Sequence, residues 1–179
     1  MFRKRLRAAR GNSPQEGFSI LEMVLACAIL MVGILSVVQL VPASLQLNAS
    51  NRLGTMATVI AQRELDQMLS QPLTVNGFQD MEGRTISLGG AGSPGAPVIM
   101  DSQGQSAQID FTADPVDGFQ IPAYSDINDP SGATFEVRWA VIPQVIGGRT
   151  ISKRIIIGCR QTNASQLSLP VNLDTWVQK

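Results

Sequence analysis

Glu22 is the residue whose setting most demands a chemical explanation. It opens an apolar run, Met23–Val41, that contains no residue of opposite charge to neutralise it. A carboxylate there costs on the order of 2–3 kcal/mol if it lies deep in a bilayer and less at the interface, so acids in such places usually have a function and a partner. The chemistry open to it is ion pairing. An amine and a carboxylate attract strongly in an apolar packing core, and each is costly there alone. Other reactive residue types are sparse. The 179 residues include no histidine, which removes Ser-His and Cys-His mechanisms and the commonest metal ligand, and weighs against an enzyme. Cys27 lies in the apolar run and Cys159 in a strand-like segment. With one in lipid and the other in a soluble domain they cannot meet, so both read as free thiols. Asp114, Asp117, Asp126 and Asp129 offer oxygen ligands for Ca²⁺, but their spacing is not that of a calcium loop. They read as solvated loop acids, and no metal or cofactor is expected.

Charge is balanced at 14 bases and 14 acids but unevenly spread. Arg3, Lys4, Arg5, Arg7 and Arg10 precede the run with Glu16 as the only acid, leaving nine bases against thirteen acids from residue 18 onward, a net −4. A basic head on an acidic body is a topology signal, placing the N-terminus in the cytoplasm and the remainder outside. No basic cluster survives downstream to track phosphates, so no nucleic-acid partner is expected.

The run from Met23 to Val41 has 19 residues, interrupted only by Gly33, Ser36 and Gln39. As a helix it spans roughly 28 Å, close to the bilayer's hydrocarbon thickness. Three readings fit it. A cleaved secretory signal would use "VPA", Val41 to Ala43, as its site, although the run exceeds the usual h-region and Glu22 sits at its start. A plain signal anchor accounts for length and orientation but leaves Glu22 unexplained.

The third reading rests on "EGFSILE". Gly17, Phe18 and Glu22 after a short basic leader resemble the class III signal of type IV pilins and pseudopilins. The resemblance implies that a membrane prepilin peptidase cuts between Gly17 and Phe18 on the cytoplasmic side and N-methylates Phe18. It also implies that Glu22, fifth in the mature chain, pairs with the N-terminal amine of a neighbouring subunit during assembly.

The helical pattern continues past the run. Leu53, Met56, Ala57, Ile60, Ala61, Leu65, Met68 and Leu69 form one apolar stripe, while Arg52, Thr58, Gln62, Arg63, Asp66 and Ser70 take the other face. Pro72 is the natural stop, and Pro42 bends or locally unwinds the helix without ending it. This predicts one helix from about Phe18 to Ser70, roughly 80 Å long. Downstream the period becomes 2. "FEVRWAV" (Phe135 to Val141) alternates, with Glu136 and Arg138 on a solvated face. Gly147-Gly148 is a hairpin turn, and "ISKRIIIGCRQ" (Ile151 to Gln161) is the returning strand, with Lys153 at its outer end. "RTISL" (Arg84 to Leu88) and "QIDFT" (Gln108 to Thr112) are weaker strands. Gly89 to Gln105 and Ala113 to Gly132 read as long surface loops, and Trp176 as a packing residue at a sheet edge.

The expected fold is therefore α+β, a long N-terminal helix with a transmembrane first half, packed on a small antiparallel sheet as in type IV pilins. The expected divisions are a cleaved leader 1–17, a helix 18–71 with 23–41 in the membrane, and a periplasmic β-rich domain 72–179. The Trp strand, short turn and basic-then-aliphatic strand resemble PilV-type minor pilins, as does "AQRELDQMLSQPL" (Ala61 to Leu73), and pseudopilins of the I class in type II secretion look similar. No disulfide-bounded C-terminal loop can form, which departs from many major pilins. The resemblance implies partners in prepilin peptidase, other pilin or pseudopilin subunits and an inner-membrane assembly platform. It also implies a single-pass inner-membrane location before assembly into a filament.

Overall fold

A computed structural model describes Gly17 and residues 19–89, 94–125, 132–163 and 169–178. It divides into two compact units, one ending at Gln46 and one beginning at Leu47. The boundary falls inside the helix.

Helix α1 runs from Ile20 to Ser70, 51 residues, with Pro42 inside it. The lost proline N–H does not end the helix, whose neighbouring turns are rich in Leu, Val and Ala. Hydroxyls within α1 bond back to their own backbone: Ser36 Oγ donates to the Val32 carbonyl at 2.8 Å, and Thr58 Oγ1 to that of Gly54 at 2.9 Å. The helix stops at Ser70, two residues before Pro72.

The second unit is built on one antiparallel sheet of four strands, in the order β5 (Gln120–Ser125), β6 (Thr134–Ile146), β7 (Arg149–Gln161), β8 (Val171–Gln178). β6 and β7 form the expected hairpin, and Gly147 and Gly148 turn with φ of +60° and +79°. Phe135, Val137, Trp139 and Val141 face the same side as Ile155, Ile157 and Cys159, with Trp139 opposite Ile157 and Val137 opposite Cys159. The α1 stripe closes over this face, adding Ala57, Ile60, Ala61, Leu65 and Met68. The short hairpin β1 (Gly77–Gln79) and β2 (Thr85–Ser87) adds Ile86 to the same core, and Trp139 Nε1 donates to the Ser87 carbonyl at 2.8 Å.

Four expectations are corrected. The opposite sheet face is not solvated: β3 (Val98–Met100) and β4 (Ala107–Ile109) form a hairpin over it, and Ile109, Phe111, Ala140 and Ile156 make a second core. Glu136 and Arg138 are consequently buried, and the acid is satisfied at 2.6 Å by Arg138 and at 2.7 Å by Arg160. The guanidiniums of Arg138 and Arg160 lie over the Phe111 ring at 5.3 and 4.8 Å. Second, the two supposed loops contain strands β3 and β5. Third, Lys153 is not at an exposed outer end. It is 4% exposed, and its Nζ donates to the carbonyls of Val75 (2.7 Å) and Leu88 (3.3 Å), tying down the chain that leaves α1. Fourth, Trp176 belongs to the edge strand β8 but remains half-exposed, with the Arg154 guanidinium 5.5 Å from its ring centre.

Candidate functional site

Ser19 is the residue just before α1, and its carbonyl accepts the Met23 N–H at 3.1 Å, the first bond of the helix. That is the position of an N-cap, which puts Glu22 at N3 in the Ser-x-x-Glu pattern of a capping box. The signal was legible in "SILE" and adds a local reason for an acid in the first turn, where the helix dipole favours negative charge. Glu22 itself is exposed.

Gly17 is exposed, and a Cβ built on it meets no described atom within 4 Å. Nor does it need a left-handed conformation, unlike Gly95 (φ +102°), where a Cβ would come 2.5 Å from Phe119 Cδ1 and 2.7 Å from the Trp139 carbonyl oxygen. The fold therefore requires glycine at 95 and does not require it at 17. Phe18 lies outside the described residues.

Beyond Glu22 the first unit presents apolar side chains in every direction. All residues of α1 from Ile20 to Arg52 are exposed, and an 18-residue window reaches a mean hydropathy of 2.7 with none of it buried. The helix is long and apolar enough to cross a membrane. Exposed apolar surface of this extent marks an interface with lipid or protein. Cys27 is exposed within it and Cys159 is buried in the sheet core, both as free thiols. Burial pushes the Cys159 thiol up to about 12, which leaves it unreactive at neutral pH.

The other end of α1 carries a polar cluster that the apolar periodicity did not reveal. Glu64 lies within the buried stripe, 1% exposed, with Oε1 3.4 Å from Arg84 and Oε2 without a hydrogen-bond partner. Burial raises its pKa, with Arg84 opposing. Asp80 accepts from the backbone N–H groups of Glu82 and Arg84 and from Arg84 Nε. Burial works to raise its pKa, but the N–H and guanidinium of Arg84 outweigh that and hold it below the ordinary value. Arg63 donates to the Tyr124 hydroxyl at 2.8 Å, and the Arg84 guanidinium sits 5.2 Å from the centre of that ring. These contacts fix the helix end to the β1–β2 hairpin and β5.

Among the described residues, no three acids or thiols are grouped to hold a metal. Asp114 and Asp117 belong to the described part of their loop, whereas Asp126 and Asp129 lie outside the described residues. Comparison with models of known protein families, with curated proteins and with solved structures finds no match in any of the three.

Proposed function

We propose that this chain is a prepilin-like subunit, a minor pilin of a type IV pilus, whose exposed helix half packs first in the inner membrane and then in a filament. The observation that carries the reading is α1 itself. One end of a single helix buries a stripe on the sheet, while the other end leaves its whole circumference exposed with one carboxylate in its first turn. A glycine that the fold does not require stands immediately before Phe18, where cleavage would release a new amine.

The chemistry follows from charge and dielectric. The amine at Phe18 of one subunit and the Glu22 carboxylate of its neighbour are each expensive in an apolar medium, and pairing removes most of that cost. The helix thus has a reason to leave lipid for a packed bundle of like helices, in register, with the domain from Leu47 onward carried outside. The chain does no chemistry of its own in this scheme and is the substrate of the peptidase. N-methylation of Phe18 keeps the amine cationic.

A type II secretion pseudopilin uses the same helix chemistry and is the nearest second reading. A conventional secretory signal ending at Ala43 is disfavoured by α1, since cleavage there would cut the helix in its middle. The mass of the mature N-terminus tests the proposal. A chain starting at methylated Phe18 is expected, and one starting at Ser44 or retaining residues 1–17 would overturn it.

A further inference from the structure

The β6–β7 hairpin projects beyond its neighbours. β8 pairs with β7 only from Ser152 to Cys159, and β5 pairs with β6 only from Thr134 to Arg138. An isolated bridge at Ala140 and a bond from the Val141 N–H to the Pro94 carbonyl extend that edge slightly. Beyond Val141, and before Ser152, no third strand flanks the hairpin among the described residues. On β6 the outward-facing position after Val141 is Pro143, which has no N–H to donate, so the edge left open to another strand is that of β7 before Ser152.

The tip is also apolar. Val145, Ile146 and Ile151 are 51%, 61% and 41% exposed, and the register shifts between Gln144 and Val145, a bulge that re-aims the end of the ribbon. The hairpin borders an open hollow of about 570 Å³ whose lining includes Leu73, Thr74, Arg149 and Lys153 and no acid. Lys153 is buried, and its ammonium has three N–H groups but, among the described residues, two carbonyl acceptors. Among the described residues no carboxylate pairs with Lys153 or Arg149. Burial holds the Lys153 pKa below the ordinary lysine value, so a carboxylate brought alongside would relieve an existing cost.

We infer that this hairpin and hollow dock an extended segment of a partner protein in which carboxylates alternate with branched apolar side chains. Main-chain bonds to an open ribbon edge supply binding, the apolar tip receives one face of the segment, and Arg149 and Lys153 select acids on the other. The inference needs no processing of the N-terminus and stands apart from the filament reading.

The test uses the full chain in detergent and a fluorescein-labelled peptide, Glu-Val-Asp-Ile-Glu-Val, followed by fluorescence anisotropy at low salt. Saturable binding is expected, with the neutral peptide Gln-Val-Asn-Ile-Gln-Val weaker by about tenfold or more. Arg149→Glu and Ile146→Ser change exposed residues, should unfold at the wild-type temperature, and should each weaken the acidic peptide by about tenfold. Absence of saturable binding, equal affinity for the two peptides, or indifference to both substitutions would overturn the inference. Loss in Arg149→Glu with Ile146→Ser unaffected would mean plain charge attraction and would overturn it as well.

Discussion

Glu22 and Glu64 belong to the same helix, and their surroundings differ in every respect that matters to a carboxylate. Glu64 is buried in the stripe that α1 lays on the sheet, and Arg84 from the β2 hairpin reaches it at 3.4 Å. Glu22 is exposed in the first turn, followed by an apolar run with no cation. The stretch around Glu64 finds its apolar and ionic partners within the chain. The stretch around Glu22 exposes more than thirty consecutive residues, so whatever completes it must come from lipid or from another molecule. That contrast separates a half of α1 whose partners lie within the fold from a half that the proposed reading gives to assembly, and each half can be attacked on its own.

The largest effect should come at Gly17, because processing is all-or-none. Gly17→Leu places a bulky residue where the proposed peptidase needs a small one, and the intact mass should retain residues 1–17. Gly17→Ala should still be cut. Neither change should alter the thermal unfolding of the domain, since a Cβ at Gly17 meets no described atom. Normal cleavage of Gly17→Leu would break the assembly side of the comparison.

Next is Glu22→Val. Cleavage and membrane insertion should persist, but a neighbouring amine would lose its counter-charge in an apolar core, which costs roughly 3–5 kcal/mol. Incorporation into sheared filaments should fall by about a hundredfold or more on immunoblots. Wild-type incorporation would reduce Glu22 to a helix cap, the role that Ser19 and Glu22 already suggest locally.

Gly95→Ala sharpens the same contrast from the folding side. Its φ of +102° is unfavourable for alanine, and the new Cβ would meet Phe119 and the Trp139 carbonyl at distances that require a shift. A loss of about 3 kcal/mol is expected in denaturant unfolding, with N-terminal processing unaffected. A glycine that mattered for processing and one that mattered for packing would then be told apart by two independent readouts.

How much of this was legible in the sequence depends on whether a residue's partners are near it along the chain. The stripe from Leu53 to Leu69, the stop before Pro72 and the Gly147-Gly148 hairpin are local patterns, and they stand where periodicity and turn chemistry put them. The second sheet face was misread because the alternation in "FEVRWAV" cannot distinguish water from a covering hairpin. The residues that cover it, Val98 to Met100 and Ala107 to Ile109, make strands of three residues, too short for a period to register. Lys153 was misplaced for a related reason. Its acceptors, the carbonyls of Val75 and Leu88, are backbone groups far away in sequence and invisible to any pattern of side chains. Glu64 falls in phase with the apolar stripe, and only Arg84 across the core explains how an acid sits there. Gly17 and Glu22 stand on the opposite footing. The role proposed for them is read from a short contiguous motif alone, without any partner that the fold brings to them.

The smallest effect concerns Glu64 and follows from the direction of its pKa. The residue lies outside the apolar Met23–Val41 span, and burial raises it from 4.5 despite the attraction of Arg84. A carboxyl with a raised folded-state pKa binds its proton more tightly when folded. Its contribution to stability is therefore full below 4.5 and is lost as pH climbs through the raised value. At neutral pH the ionised Glu64 is a burden that Arg84 only partly offsets, with Oε2 unpaired. Glu64→Gln keeps the shape and removes the charge, while Arg84 retains Asp80 and Glu82. Stability at pH 7 should stay level or rise by about 1 kcal/mol, and the gain should vanish below pH 4.5, where wild-type Glu64 is protonated in both states. Asp80 titrates in the opposite sense, its contribution present above 3.8 and lost as pH falls. It is present in variant and wild type, so the difference between their urea midpoints reports on Glu64 together with its repulsion from Asp80. A loss at pH 7 that persists unchanged into acid would mean that Glu64 is held by Arg84 as a net-favourable pair. The two glutamates of α1 would then differ in where their partner comes from, and no longer in whether their charge is tolerated without one.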